Sequence, residues 1–283
     1  MVAGAAPAVN TLRRCRPLLG TYVEVHISAD ADDDCLLDLC EAAYGRIARV
    51  QSLMSYHEPE SELSRINRTA HLEPVPISAE THEVLAFALR LCAASGGCFD
   101  PTVAPGLVRR GLLPDQGGDA ECAHGWQVIE LGVDRVAFSR PLRLDLGGIA
   151  KGYAVDQALA VIGNRHDAVV NAGGDLAMTR WQGRDVGIRT PGSDGRETLT
   201  FSMENRCLAT SAAYYHENGH AILRPDSLAP LECMDSASVF APSCMVADAL
   251  TKVALLADDA ASVMKVFDAT ALLIGLDGAV KRL

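Results

Sequence analysis

The stretch "RLDLGGIAKGYAVDQAL", residues 143–159, starts with the alternation of a strand and ends with the spacing of a helix. Glycines separate the two parts, and Lys151 stands among them. A strand that ends in glycines and opens a helix directs free backbone N–H groups to one place, where they bind phosphate. Neither G-x-G-x-x-G nor G-x-x-x-x-G-K-S/T is present, which argues against a Rossmann fold and a P-loop fold. The alternative is an ordinary glycine turn with Lys151 in solvent and Asp156 facing water.

Patterns before this stretch predict one strand and two helices. Residues 21–28 alternate apolar and polar side chains, which is typical of a half-buried strand. Residues 30–55 place apolar side chains three and four apart, with aspartates at the start, and so predict a helix. Ser78 is the expected cap of a second helix over residues 79–95, which a glycine pair ends.

The remaining segments mix loops, strands and one more long helix. Loops are predicted over residues 56–77 and 100–125, and Asn218-Gly219 predicts a tight hairpin turn. A single helix is predicted over residues 243–269, followed by a closing hairpin over residues 270–283. Extended segments are predicted for residues 126–132, 135–139, 142–146, 167–174, 185–191 and 197–204.

The order of these elements defines the expected fold class. The sequence has no regular strand–helix alternation, no repeat and no low-complexity linker. We therefore predict an α+β fold, a single domain of mixed, largely antiparallel sheets with packed helices. The domain is assigned to residues 17–283, after an N-terminal tail of residues 1–16.

Composition narrows the classes of function. Hydrophobic residues make up 49% of the 283 residues and charged residues 22%, which is typical of a folded globular protein. The formal net charge of -11 repels phosphate backbones, so nucleic acid is not an expected partner. No apolar run is long enough to predict a transmembrane segment. The nine cysteines include no C-x-x-C pair, which indicates reduced thiols and disfavours a zinc site. The sequence also shows no signal-peptide pattern, so we expect a cytoplasmic protein.

Motifs along the chain match one family in the same order. "LDLGGIAKGYAVD" resembles the central signature of the ApbE-like FAD:protein FMN transferases. "VNAGGDL" is similar to the N-x-G-G-D turn of that family, and "SVFAPSCMVADALTKV" is similar to its final signature. Further matches are "LLGTYVEV", "MSYHEPESELSRIN", "GGCFDPTVAPG" and "ATSA". The matches span nearly the whole chain, which therefore looks like a divergent member of this family.

The resemblance implies a reaction at phosphorus. Members of the family bind FAD and, with Mg²⁺, transfer its FMN half to a Ser or Thr hydroxyl of an acceptor protein and release AMP. Some relatives instead hydrolyse FAD to FMN and AMP, and many work outside the cytoplasm. Both reactions need neutralisation of the diphosphate and a base for the proton of the attacking oxygen.

The same resemblance implies roles for particular residues. Asp248 matches a metal-binding carboxylate, although its position also suits an exposed acid near the start of a helix. His57 stands where the family usually has Tyr, and the adjacent Tyr56 is the alternative ring. The implied FAD-binding residues are Leu19, His57, Cys98, Phe99, Asp100, Asp145, Lys151 and Ile222, and the implied metal residues are Gly148, through its carbonyl, Asp248, Thr251 and Lys252.

The metal position departs from the family pattern. The family has Thr four residues after the metal-binding aspartate, one helical turn on, whereas this chain has Lys252 there and Thr251 one residue earlier. Either Thr251 still reaches the metal, or Lys252 partly replaces the metal at the diphosphate. The third possibility is that Lys252 points outward into water.

The candidate catalytic base lies in a second altered segment. The family run H-I-I-D-P-x-T-G corresponds to "HAILRPDS", which keeps His220 but lacks the D-P aspartate and the final T-G. His220 is the candidate base, and His216 is a weaker substitute. The leading interpretation is an FMN transferase, with an FAD pyrophosphatase or a non-catalytic FAD carrier as alternatives.

Overall fold

The computed structural model describes residues 9–117, 124–191, 197–212, 222–233 and 235–283. The strands are β1 (Asn10–Leu18), β2 (Thr21–Ala29), β3 (Val75–Pro76), β4 (Ile129–Leu131), β5 (Arg135–Phe138), β6 (Asp167–Ala172), β7 (Asp175–Met178), β8 (Asp185–Arg189), β9 (Thr198–Ser202), β10 (Cys207–Ala212), β11 (Ser236–Ala241), β12 (Thr270–Ile274) and β13 (Val280–Arg282). The helices are α1 (Asp33–Met54), α2 (Glu62–Thr69), α3 (Ala79–Ala94), α4 (Ala104–Arg109), α5 (Ala150–Ile162), α6 (Cys244–Leu256) and α7 (Ala260–Val266).

Eight of these strands form one sheet, in the order β1-β2-β6-β7-β10-β11-β12-β13. Each neighbouring pair in it is antiparallel. Two smaller antiparallel sheets, β3-β5-β4 and β8-β9, complete the described strands. The predicted α+β fold with largely antiparallel sheets in a single domain is confirmed.

The two faces of the large sheet carry separate apolar clusters. Helices α1, α5 and α6 contribute to the main core, in which Val25 and Ile27 of β2 are fully buried, as the alternation predicts. On β11, Val239 belongs to this core and the next residue, Phe240, to a second cluster with Ile188 of β8. Successive side chains of a strand point to opposite faces, so the β8-β9 hairpin covers the face away from the helices.

Helices α5 and α6 touch each other closely. Gly152 allows this contact, because a Cβ at its position would lie 2.2 Å from the backbone oxygen of Cys244. Asp156 of α5 accepts the N–H groups of Cys244 and Met245, each at 2.8 Å, and so caps the start of α6. Asp156 therefore joins the two helices, and the alternative that it faces water is wrong.

The Asp156 cap predicts a specific pH dependence of stability. Burial raises the pKa of Asp156 to about 6, whereas the unfolded chain has the ordinary value of about 3.9. The folded protein therefore binds the extra proton, and stability that is present at low pH is lost as pH rises towards about 6. We expect the free energy of unfolding of the wild type, relative to Asp156→Asn, to fall by about 1–3 kcal/mol between about pH 4 and pH 7.

Urea unfolding of both proteins across this pH range measures the difference. Other titrating groups cancel in the comparison because the two chains differ only at Asp156. Parallel profiles of the two proteins would contradict the assignment of the buried, capping carboxylate.

Both loops predicted before residue 126 contain helices. Residues 56–77 include α2, which Ser61 caps by accepting the Ser64 N–H at 3.0 Å. Residues 100–125 include a 3₁₀ turn and α4. These helices are short, so their few apolar residues give too little periodicity for the sequence to predict them.

Two further segments also differ from prediction. Residues 142–146 form no strand, because the Asn67 side chain accepts the Leu144 N–H at 2.8 Å and donates to its carbonyl at 2.9 Å. The helix predicted over residues 243–269 is interrupted after α6, and α7 begins anew with Asp259 as its cap.

The sheet begins earlier than the predicted domain. β1 starts at Asn10 and pairs along its length with β2, so it includes residues 10–16 of the predicted tail. Its side chains are mostly exposed and include three arginines, so the apolar alternation that predicts a strand is missing.

Other expectations concern the cysteines, a turn and the membrane. The eight described cysteines form no disulfide. The turn predicted at Asn218-Gly219 lies outside the described residues. No helix in the described ranges is both long and apolar enough to span a bilayer.

Candidate active site

A cavity of about 710 Å³ opens beside the glycine turn that precedes α5. Small-molecule sites typically have volumes of about 300–1,000 Å³. The wall brings together the β1–β2 turn, the segments after α1 and α3, the start of α5, and α6. The predicted site residues on this wall are Leu19, His57, Cys98, Phe99, Asp100, Asp145, Gly148, Lys151, Ile222 and Lys252.

The glycine turn presents backbone and one carboxylate to the cavity. Asp145 Oδ1 accepts the Gly147 N–H at 3.0 Å, and the Asp145 N–H donates to the carbonyl of Pro101 at 2.7 Å. Burial raises the pKa of the Asp145 carboxyl. Gly147 is exposed on the wall and has no Cβ, so a ligand can approach its backbone.

Lys151 is ion-paired, so the alternative of a solvated lysine is wrong. Its Nζ lies 2.7 Å from Asp175 Oδ2 and 3.5 Å from Asp248 Oδ2. Burial alone would lower the pKa of Lys151, but the two carboxylates outweigh burial and raise it. The side chain keeps 32% exposure while the carboxylates keep 3% and 1%. The charged ammonium therefore lies between the buried carboxylates and the cavity.

Asp175 belongs to the site, although its sequence motif predicted only a glycine turn. At Gly173, φ is 62° and a Cβ would lie 2.6 Å from Thr21 Oγ1, so this turn depends on glycine. Burial, and then the neighbouring Asp248 charge, raises the pKa of Asp175 to about 6. The N-x-G-G-D motif was the signal that could have identified Asp175, but the sequence did not show that this turn lies against Lys151.

Asp248 connects α6 to the start of α5. Its Oδ2 accepts the Gly152 N–H at 3.2 Å, and its Oδ1 accepts from Lys252 Nζ at 2.6 Å. Burial alone would raise the pKa of Asp248, but Lys151 and Lys252 outweigh burial and lower it. Asp248 is therefore an ionised and buried counterion, and the alternative of an exposed acid is wrong.

Of the two candidates beside Asp248, Lys252 lies on the cavity wall and Thr251 does not. Lys252 Nζ also donates to the backbone carbonyl of Asp248 at 3.0 Å, which rules out an outward orientation. Thr251 is fully buried. Its Oγ1 donates to the same carbonyl at 2.6 Å and lies 2.7 Å from Ser211 Oγ. Thr251 therefore lies behind the wall, beside Asp248 and Ser211, and its role at a metal stays a prediction.

The described residues offer Mg²⁺ few free ligands at this position. Mg²⁺ prefers six oxygen ligands at about 2.0–2.1 Å, whereas both carboxylate oxygens of Asp248 already accept hydrogen bonds from Lys252 and Gly152. Among the described residues, no three His, Cys, Asp or Glu side chains form a group that could hold a metal ion.

The β1–β2 turn is held to the segment after α1 by Gln51, which the sequence analysis did not identify. Gln51 Oε1 accepts the Leu19 N–H at 2.8 Å, and its Nε2 donates to Glu58 Oε1 at 2.7 Å. Leu19 has a φ of 56°, a strained value for a residue with a side chain, and such strain is often found at functional sites. Gln51 and Glu58 both lie on the cavity wall.

The two candidate rings after α1 differ in exposure. Tyr56 is 3% exposed, and its backbone carbonyl accepts from Gln116 Nε2 at 2.7 Å. His57 is exposed, and both residues contribute to the cavity wall. His57 is thus the ring with surface available for stacking on a ligand.

The segment after α3 forms a preformed part of the wall. The Phe99 N–H donates to Ser95 Oγ at 3.1 Å, and Asp100 Oδ1 accepts the Thr102 N–H at 2.8 Å. Burial raises the pKa of Asp100 and of the Cys98 thiol. Local hydrogen bonds hold the Phe99 backbone and the Asp100 side chain, so a ligand does not need to order this segment.

The candidate base stays a prediction. His220 and His216 both lie outside the described residues. Ile222, which follows directly after that gap, lies on the cavity wall.

The chain is similar to proteins of one family in sequence and in fold. It is 29% identical over 236 residues to the FAD:protein FMN transferase of Haemophilus influenzae, covering 71% of this chain and 67% of that protein. The protein of the same name from Treponema pallidum is 25% identical over 285 residues, covering 87% of this chain and 79% of that protein.

Solved structures agree with the sequence matches. The flavin transferase ApbE from Vibrio cholerae has a TM-score of 0.82 at 23% identity, covering 98% of this chain and 97% of that one. The ApbE protein of Thermotoga maritima has a TM-score of 0.80 at 25% identity, covering 97% of each chain. The model of the ApbE family matches residues 19–273. The chain therefore belongs to the ApbE family.

Proposed function

We propose that this chain is an FAD:protein FMN transferase, which moves the FMN half of FAD to a Ser or Thr hydroxyl of an acceptor protein and releases AMP. The observation that carries this proposal is the 710 Å³ cavity with two ammonium groups on its wall, each paired to a carboxylate behind it. The names of the curated relatives support the same activity.

The cavity wall suits the two chemical parts of FAD. Leu19 provides apolar surface and His57 an exposed ring for the flat flavin and adenine rings, and the mostly buried Phe99 and Ile222 add small apolar areas. Lys151 supplies positive charge for the diphosphate beside the exposed backbone of the glycine turn. This arrangement supports the binding of both parts of FAD in one cavity.

In the proposed reaction the acceptor oxygen attacks the phosphorus of the FMN half. A new P–O bond forms to the acceptor, the bond from that phosphorus to the bridging oxygen breaks, and AMP leaves with the bridging oxygen. The acceptor hydroxyl proton passes to a base, for which His220 is the candidate. Negative charge grows on the leaving phosphate, where a fixed ammonium stabilises it.

Two other outcomes use the same site. With water as the attacking group, the products are FMN and AMP, as for a pyrophosphatase. With no competent base, the protein binds FAD and releases it intact, as for a carrier. The altered "HAILRPDS" segment is the observation that keeps the carrier as an alternative.

One incubation distinguishes the three. Purified protein is mixed with FAD and a candidate acceptor protein, with a matched acceptor whose Ser or Thr is replaced by Ala, and the products are separated by chromatography and by denaturing gel. We expect flavin fluorescence on the acceptor band and an equal amount of AMP, with neither seen for the Ala acceptor. FMN and AMP without labelled acceptor would point to the pyrophosphatase, and unchanged FAD to the carrier.

A further inference from the structure

The Lys252 ammonium lies beside Gly148 and Asp248, two of the residues that the resemblance implies as metal ligands. It is 2.6 Å from Asp248 Oδ1 and 3.0 Å from the backbone carbonyl oxygen of Asp248. It is also 3.6 Å from the position that a Cβ would take at Gly148, and Lys252 Cε is 3.0 Å from that position. The lysine side chain therefore extends across Gly148 and ends on the Asp248 carboxylate.

We propose that the Lys252 ammonium takes the place of the Mg²⁺ that the family resemblance implies, so that this chain binds FAD without a divalent metal. The inference rests on the proposed function, since it names the group that faces the FAD diphosphate. The helical spacing makes the replacement possible, because residues four apart lie one above the other on a helix. Lys252 thus reaches the carboxylate of Asp248 from the next turn of α6.

A metal ion and this ammonium would compete for the same carboxylate. An ion bound to Asp248 Oδ1 at about 2.1 Å would lie within a few ångströms of Lys252 Nζ, which is itself 2.6 Å from the same oxygen. The two positive charges would repel each other at that distance. The other carboxylate oxygen accepts the Gly152 N–H and faces Lys151, so it offers no vacant position either.

The arrangement of charge suits a diphosphate directly. Lys151 and Lys252 lie on the cavity wall, whereas Asp175 and Asp248 are buried behind them. The cluster therefore presents its positive side to the cavity, although it holds two carboxylates. Two ammonium groups match the two charges of a diphosphate, and a lysine is a well-known point-charge partner for phosphate.

The test compares FAD binding, followed by quenching of flavin fluorescence, in EDTA and in Mg²⁺. For the wild type we expect Kd to differ by less than about twofold between the two conditions. Lys252→Thr restores the residue type of the family pattern. In EDTA we expect this variant to bind FAD at least about tenfold more weakly than the wild type, because it lacks one charge-assisted contact. In Mg²⁺ we expect its affinity for FAD to recover. Lys265→Thr removes an exposed lysine on α7 and serves as the matched control.

A calorimetric titration with Mg²⁺ alone is independent of FAD. We expect no heat of binding for the wild type and binding for Lys252→Thr. FAD binding by the wild type that requires Mg²⁺, or a wild-type heat of binding for Mg²⁺, would overturn the inference while leaving the proposed function intact. Failure to bind FAD in both EDTA and Mg²⁺ would instead overturn the proposed function. The wild-type measurements decide the matter even if the variant fails to fold.

Discussion

Gly152→Ala is expected to lower the free energy of unfolding by about 3 kcal/mol or more, at or above the upper end of the usual cost of overpacking. The added Cβ would lie 2.2 Å from the Cys244 oxygen and 2.9 Å from Asp248 Cβ. A backbone carbonyl cannot move aside as a flexible side chain can, so α5 and α6 must separate. Separation would also move Asp248 away from Lys151, and we expect the folded fraction to lose FAD binding.

Gly45→Ala is the matched control for this substitution. Gly45 lies in α1, is exposed, and has no atom within 4 Å of the position of its Cβ. The same chemical change should therefore raise stability by about 0.5–1 kcal/mol, the usual difference between Gly and Ala in a helix. Urea unfolding of the two variants and the wild type gives both values. Equal stabilities for the two variants would contradict the close α5–α6 contact.

Secondary structure could be predicted from the sequence where a long apolar pattern reflects one buried face. The alternation over residues 21–28 and the helical spacing over residues 30–55 both reflect a single buried face, and β2 and α1 have the predicted positions. The strand β1, which was not predicted, has mostly exposed side chains. Its sequence therefore lacks the alternation of apolar and polar residues that a buried face produces. At Leu144 the Asn67 side chain takes the place of a neighbouring strand, a tertiary contact that no local pattern contains.

The sequence predicted which residues form the site, but not the contacts between them. The motifs identified residues that the structure brings to one cavity wall, from Leu19 in the first hairpin turn to Lys252 in α6. They did not reveal that Asp175 is the nearest counterion of Lys151, at 2.7 Å. They also left open whether Thr251 or Lys252 faces the ligand. Both answers depend on how α5, α6 and the second glycine turn pack, which is set by contacts between distant segments.

The largest loss of activity is expected from Asp248→Asn. The amide has nearly the shape of the carboxylate but removes the charge that Lys151 and Lys252 share, at 3.5 Å and 2.6 Å. We expect FAD turnover to fall by at least about 100-fold, because Lys151 and Lys252 would no longer be held in place for the reacting phosphate, with an effect like that of losing a fixed electrostatic contact. Stability should fall by about 3 kcal/mol, the lower end for breaking a buried pair, because both lysines keep some exposure.

The double variant Asp248→Asn/Lys252→Met separates the two effects. Removing the now unpaired ammonium should return more than about 1 kcal/mol of stability, since the two residues are in direct contact, while turnover stays low. The matched control is Asp259→Asn, at the exposed cap of α7. Its free energy of unfolding should stay within a few tenths of a kcal/mol of the wild-type value, because Asn caps a helix as well as Asp does. Unfolding curves and initial rates of AMP release measure both quantities. If Asp248→Asn loses stability but its folded fraction turns over FAD at the wild-type rate, Asp248 has a structural role alone, and the lysines do not depend on it to face the diphosphate.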